Sequence, residues 1–198
     1  MNNQRIVDYP ITAIIGDRGA GKTLYATALA EAYFEQGKQI VSNYHLYEVD
    51  YIYMTFEDLV KDFHTLYNAV VFLDELQVGA GAFNYLKKEN QQIGDFVTQI
   101  RKRKITIYFT TQRYKRITIQ VREQVDYIIQ VERLEIAGTS LLTMFQLPWV
   151  NRALKQWKFD GRPYFGHYDT EQIITFTGKK DITEDDIDDD LEDDDLDD

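Results

Sequence analysis

Gly16-Asp17-Arg18-Gly19-Ala20-Gly21-Lys22-Thr23 has the spacing G-x-x-x-x-G-K-[ST], and the residues on either side decide what that spacing means. Ahead of it, Ile11 to Ile15 is a short apolar run of strand character. Behind it, Lys22 to Glu35 has helical composition and stops before Gly37, a suitable helix C-cap. Strand, glycine-rich turn and helix, in that order, are the setting in which this motif binds phosphate. The glycines allow backbone angles that turn successive N–H groups inward, and the helix start adds the positive end of its dipole. Lys22 is then the cation for the β- and γ-phosphates of ATP, and Thr23 a ligand for the accompanying Mg²⁺. The cofactor-binding stretch is expected to run from Gly16 through Asp17, Arg18, Gly19, Ala20, Gly21, Lys22 and Thr23 to Leu24. An acidic side chain beside phosphate is unusual, so Asp17 is expected to point outward.

A second stretch completes such a site. Val70-Val71-Phe72-Leu73 is an uninterrupted apolar run, the pattern of a strand buried on both faces, and it delivers Asp74 and Glu75 to its carboxyl end. Asp74 is expected to hold the magnesium shell, and Glu75 to orient the attacking water or accept its proton. Alone, two acids after an apolar run only mark a strand leaving the core; their meaning comes from the phosphate loop. The next strong strand ends in Thr110-Thr111-Gln112-Arg113. Gln112 is either a sensor of the γ-phosphate and its water or simply the polar end of a strand.

Strands alternate with helices along most of the chain. Gln39 to Ser42 reads as a strand, and Thr55 caps a helix over Phe56 to Leu66 with Asp58 placed for a capping box. Gln77 to Phe83 reads as a glycine-containing loop and Gln91 to Arg103 as a helix. Ile105 to Thr110 and Tyr127 to Val131 are strands by their β-branched and aromatic content. The pattern predicts an α/β fold, a mainly parallel sheet with helices on both faces. Residues 1–132 form the expected core, 133–180 a hairpin with an aromatic-rich appendage, and 181–198 an acidic tail.

Composition narrows the chemistry. The 198 residues suffice for one full core, and the absence of cysteine excludes disulfides, thiolate metal sites and cysteine nucleophiles. His45, His64 and His167 are too far apart for a local metal motif and receive no catalytic role. No apolar stretch approaches the ~20 residues of a membrane-spanning helix, and residues 1–10 do not form a signal peptide. A cytoplasmic location is expected. Of 33 acidic residues, 13 lie in residues 181–198, which hold none of the 22 basic ones; residues 1–180 therefore carry +2 of the net −11. Such a tail is expected to be disordered. It reads either as a solubiliser or as a tethered competitor for the basic surface.

That surface is dense. Arg101, Lys102, Arg103, Lys104, Arg113, Lys115 and Arg116 fall within 16 residues. They read either as phosphate contacts or as a solvated face with cations complementing a helix C-terminus. A strand of six residues spans about 20 Å, which puts Arg101 to Lys104 at the sheet edge opposite the phosphate loop; Arg113 and Arg122 are expected nearer the catalytic edge. Trp149, Trp157, Phe159, Tyr164, Phe165 and Tyr168 read as the core of the appendage rather than as base-stacking groups.

Taken together, Gly16 to Thr23, Asp74-Glu75 and Thr110 to Arg113 resemble the FtsK and HerA superfamily of DNA-pumping P-loop ATPases, of RecA/FtsK-like fold. The similarity spans about Ile11 to Val131. It is nearest to a viral branch that holds genome-packaging ATPases and the zonular-occludens-toxin-like assembly ATPases of filamentous phages. The phrases Gly37 to Asn43, Arg101 to Lys104 and Val121-Arg122-Glu123 carry that nearer resemblance. It implies a homo-oligomeric ring, pentameric or hexameric, with Lys22, Thr23, Asp74, Glu75 and Gln112 acting in cis. It also implies an arginine supplied by the neighbouring subunit, with Arg101, Arg103, Arg113 and Arg122 as candidates, and DNA together with a capsid or virion protein as partners. Phage assembly ATPases of this type continue into a membrane span, whereas this sequence runs into an acidic tail. The primary expectation is therefore a motor that translocates viral DNA into a capsid. A filamentous-virion assembly ATPase is the alternative, and a nucleotide-gated adaptor without translocation is the third reading.

Overall fold

The computed structural model describes residues 7–76, 99–117, 119–148 and 153–172. The expected loop over Gln77–Phe83, most of the helix expected over Gln91–Arg103, Trp149 and the acidic tail lie outside the described residues.

Among the described residues, eight strands form one sheet: β1 (Ile11–Ile15), β2 (Gln39–Ser42), β3 (Tyr51–Tyr53), β4 (Ala69–Leu73), β5 (Thr106–Thr111), β6 (Tyr127–Arg133), β7 (Thr139–Gln146) and β8 (Ala153–Asp160). Their order is β3-β2-β4-β5-β1-β6-β7-β8. From β3 across to β6 all neighbours pair in parallel, and β7 and β8 add antiparallel. Helices α1 (Lys22–Glu35), α2 (Phe56–Asp62) and α3 (Ile119–Arg122) lie between strands, and residues 99–102 are helical. No helix among the described residues is long and apolar enough to cross a membrane.

Burial on both faces explains the continuous apolar runs. Along β4, Val71 and Leu73 pack with Leu59, Leu66 and Ile100 on one side, while Val70 and Phe72 pack with Ala26, Ala30 and Tyr44 on the other. Every residue of β4 and β5 is buried. Phe72 stacks on Tyr108 with ring centroids 5.4 Å apart, and the Tyr108 hydroxyl meets that of Tyr33 from α1 at 2.9 Å.

The capping box of α2 forms as its sequence predicts: the Asp58 N–H donates to Thr55 Oγ1 (3.1 Å), and the Thr55 N–H donates to Asp58 Oδ2 (3.0 Å). The helix is shorter than expected. It ends at Asp62 and tightens into a 3₁₀ turn over Phe63–Thr65, where the Thr65 hydroxyl donates to the Asp62 carbonyl (2.7 Å). Asn68 then takes a left-handed conformation that turns the chain into β4.

The expected division at 132 falls inside β6, which runs on to Arg133, and the hairpin continues the sheet. Leu142 packs there with Val131 and the α1 layer, and Ser140 and Thr143 are buried as well. The segment after β8 then crosses α1. Trp157 and Phe159 pack against Tyr25, Tyr168 lies edge-on to Tyr44, and His167 Nδ1 lies 2.8 Å from Glu31.

Candidate functional site: a phosphate-binding loop facing two carboxylates

The loop between β1 and α1 has three positions that demand glycine, one of them Gly19 with φ of 74°. A Cβ on Gly16 would sit 2.4 Å from the Val131 carbonyl oxygen, so the loop leaves β1 pressed against β6. Gly21 is the N-cap of α1 with φ of 97°, a left-handed angle that aims the following N–H groups into the loop. Inside the turn, the Ala20 N–H and Lys22 Nζ both donate to the Asp17 carbonyl, at 3.1 and 2.9 Å. The Asp17 side chain itself is exposed, in keeping with its expected outward direction. The loop is also held from outside: the buried Ser140 hydroxyl of β7 donates to the Ala20 carbonyl (2.8 Å).

Strand order brings the second half of the site to this loop. Because β5 lies between β1 and β4, its carboxyl end is flanked by the loop on one side and Asp74-Glu75 on the other. Thr23 Oγ1 donates to the Asp74 carboxylate at 2.9 and 3.1 Å, and the Thr110 hydroxyl donates to Asp74 Oδ1. Asn43, at the end of β2, fixes the Asp74 main chain from behind: its Oδ1 accepts from the Asp74 N–H (2.7 Å) and its Nδ2 donates to the Asp74 carbonyl (3.2 Å). Glu75 sits at φ of 47°, an uncommon angle for a residue with a side chain, held by its N–H donating to Thr110 Oγ1 (3.0 Å). Gln112 Nε2 lies 3.4 Å from Glu75 Oε1. Thr23, Asp74, Glu75, Thr110 and Gln112 line a cavity of about 350 Å³, within the usual range of small-ligand sites.

Burial dominates the electrostatics of this cavity. Burial pushes Lys22 below the ordinary lysine pKa despite Asp74, Glu75 and Asp17, and it raises Asp74 despite the hydrogen bonds from Thr110 and Thr23. Both shifts run toward loss of charge, so desolvation outweighs the attraction between the two groups. For Asp74 the sign is definite. A carboxyl raised in the folded state contributes stability at pH below its ordinary pKa, and that contribution is lost as pH rises through the raised value. Asp74→Asn is therefore expected to melt above the unsubstituted protein at neutral pH without nucleotide, by about 2–4 °C for a gain of about 1 kcal/mol. The rise in melting temperature that Mg²⁺ adds to that of ATP alone should shrink in this variant, which thermal denaturation with ATP, with and without Mg²⁺, would check.

All nine residues from Gly16 to Leu24 make up this loop and the first turn of α1, and Asp74, Glu75 and Gln112 converge on it. The arginine candidates separate. Arg113 is exposed and follows Gln112, which lines the cavity. Arg101 lies at the opposite edge, where Nη2 bridges both Asp126 oxygens (3.0 and 2.9 Å) and Asp126 accepts from the Ile11 N–H at the start of β1. Arg103 reaches the Leu66 carbonyl at 3.4 Å. Arg122 is not near the catalytic edge as expected. The chain has turned back by then, and Arg122 lines a second cavity with Arg101 at the edge where the strands begin.

Sequence reasoning passed over Asn43, Thr110, Arg133, Gly138, Ser140 and Phe165. Arg133 lines the cavity from the end of β6, and Gly138, Ser140 and Phe165 from the hairpin and the segment behind it. Asn43 and Thr110 lay within phrases singled out from the sequence, and no local motif marks Arg133, Gly138 or Ser140; Phe165, read from sequence as core of the appendage, is instead exposed at the cavity rim.

Similarity to known proteins agrees with this geometry. The family description Zonular occludens toxin (Zot) matches residues 35–160, which leaves the phosphate loop to stand on its own motif and geometry. No curated protein matches the chain. Among solved structures, the N-terminal domain of zonular occludens toxin from Neisseria meningitidis has a TM-score of 0.56 at 17% identity, covering 77% of this chain and 94% of that one. The genome packaging NTPase B204 from Sulfolobus turreted icosahedral virus 2, in complex with ATP-gammaS, has a TM-score of 0.51 at 13% identity, covering 72% and 94%. The same NTPase in complex with sulfate gives 0.50 at 13% identity, covering 77% and 96%. These structural likenesses establish a shared P-loop fold, and the family match over well over half of the sequence makes the chain a member of the zonular occludens toxin (Zot) family of P-loop ATPases.

Proposed function

We propose that this chain hydrolyses ATP within a homo-oligomer and uses the energy to assemble and export a filamentous virion through a membrane partner. The observation that carries the reading is the convergence of Lys22, Thr23, Asp74, Glu75 and Gln112 on one cavity in a chain of the Zot family. Family membership favours this alternative over packaging into a capsid, the primary expectation from sequence.

The residues suit the chemistry. Thr23 Oγ1 and the Asp74 carboxylate are hard oxygen donors 2.9 Å apart, and this pair fits Mg²⁺, which commonly takes one or two protein oxygens beside substrate phosphates. Bound with ATP, the ion would offset phosphate charge. Lys22 exchanges the Asp17 carbonyl for β- and γ-phosphate oxygens while the loop N–H groups hold the rest of the chain of phosphates. Glu75 takes the proton of the water that attacks the γ-phosphorus, and Gln112 holds the Glu75 carboxylate and that water in line. Arg113, exposed next to Gln112, is the arginine best placed to reach a neighbouring subunit's site. The protein works in the host cytoplasm on this reading.

The fold likeness to B204, described as a genome packaging NTPase, supports a second reading in which the same motor drives DNA into a capsid. Turnover measured with membranes from assembling cells and with double-stranded DNA separates the readings. The export reading expects cofractionation with a membrane protein and turnover that responds to it. Stimulation by DNA without membrane cofractionation would favour packaging, and no turnover under either condition would leave a nucleotide-gated adaptor.

A further inference from the structure

The cavity that holds the phosphate loop has a second end, built by residues for which the reaction has no use. Leu24, in the first turn of α1, is packed by the chain at Gly161, where a Cβ would lie 2.3 Å from Leu24 Cδ2. From there a short 3₁₀ turn over Arg162–Tyr164 brings Phe165 to the rim of the same cavity. The position is fixed rather than loose. The Gly161 N–H donates to the Gly138 carbonyl (2.8 Å), and the Phe165 N–H to the Arg162 carbonyl (3.3 Å). Gly138 itself, at φ of 79° in the β6–β7 turn, leaves the space that Phe165 and Arg162 fill: a Cβ there would lie 2.9 Å from Phe165 Cζ and 2.7 Å from Arg162 Cγ.

Phe165 nevertheless remains 57% exposed. The neighbouring aromatics of this segment are engaged in packing: Phe159 on Tyr25, and Tyr164 on Phe159. Tyr168 also borders the cavity, but its ring lies edge-on against Tyr44. Phe165 is the aromatic of this segment that borders the cavity with most of its ring uncovered. Its place along a bound nucleotide follows from polarity. Glu75 and Gln112 mark the γ-phosphate end, and the N–H groups leading to Leu24 follow the phosphates back toward the nucleoside. Phe165 stands at the Leu24 end, beyond the phosphates, where a flat apolar base would arrive.

We propose that Phe165 is the stacking platform for the nucleotide base, which makes the segment after β8 part of the nucleotide site. This rests on the reading of Gly16 to Thr23 as an ATP-binding loop. The platform recognises a heteroaromatic ring by its face, so it adds affinity for a nucleoside triphosphate over a bare polyphosphate. It lies beyond residue 160, outside the part of the chain that the family description matches.

The test is calorimetric affinity of the full chain, with Mg²⁺, for ATP and for inorganic tripolyphosphate. Phe165→Ala is expected to weaken ATP binding about tenfold and leave tripolyphosphate binding unchanged, whereas Phe165→Trp keeps ATP affinity. Unchanged ATP affinity in Phe165→Ala would overturn the proposal. An equal loss for both ligands would also overturn it, by showing that Phe165 supports the loop rather than the base. Failure of the unsubstituted chain to bind either ligand would overturn the ATP-site reading, and this proposal with it.

Discussion

Glu75→Gln is expected to bind ATP as tightly as the unsubstituted chain and to hydrolyse it at least about a hundredfold more slowly. The amide keeps the size and shape of the carboxylate but cannot take a proton, and a positioned general base contributes about 10²- to 10⁴-fold. The main chain at Glu75 is set by the Thr110 hydroxyl and not by the side chain, so the left-handed turn survives the substitution. Steady-state phosphate release beside equilibrium ATP binding separates the two effects. Turnover at the unsubstituted rate would remove Glu75 from the chemistry.

Lys22→Ala has the opposite signature. Lys22 is buried, its ammonium group donates to the Asp17 carbonyl, and burial has already lowered its pKa. Beside Asp74, Glu75 and Asp17, a bound polyphosphate would give the Lys22 ammonium further counter-charge. Removing one partner of a buried, hydrogen-bonded charge pair costs about 2 kcal/mol or more, about thirtyfold in Kd. ATP affinity is therefore expected to fall by at least that factor while the fold persists. In the unsubstituted chain, affinity should fall as pH rises through the lowered Lys22 pKa, because the ammonium form is the one that binds phosphate. Calorimetric titration of both proteins with ATP, checked by circular dichroism for folding, reads the outcome.

How much of this was legible from sequence depends on how far apart the interacting residues lie. Gly16 to Thr23 could be read because strand, turn and helix are contiguous, and β1 and α1 have the expected bounds. Asp74 and Glu75 could be read because an apolar run leads straight to them. Gln112 required the sheet order: only with β5 between β1 and β4 does the end of that strand fall between the loop and the two carboxylates. The supporting contacts were out of reach. Asn43 and Ser140 act on residues 31 and 120 positions away, through hydrogen bonds that leave no periodicity in the chain. The hairpin over β7 and β8 was foreseen as part of an appendage, but nothing in its composition announces that it pairs with β6 and carries Phe165 to the cavity. Arg122 was misplaced for a related reason. A span counted along β5 says nothing about where the chain turns back before β6.

The central claim is that Gly16 to Thr23, Asp74, Glu75 and Gln112 form one site that hydrolyses ATP and works in an assembly. Phosphate release from ATP by the full chain, followed over a range of protein concentration with native mass recorded at each point, tests it most directly. The account predicts release that requires Mg²⁺, disappears in Glu75→Gln, and rises per subunit as the mass passes from monomer to oligomer, since an arginine supplied in trans contributes on the order of 10³-fold or more. Full turnover by the monomer, or no release at any concentration, would contradict it.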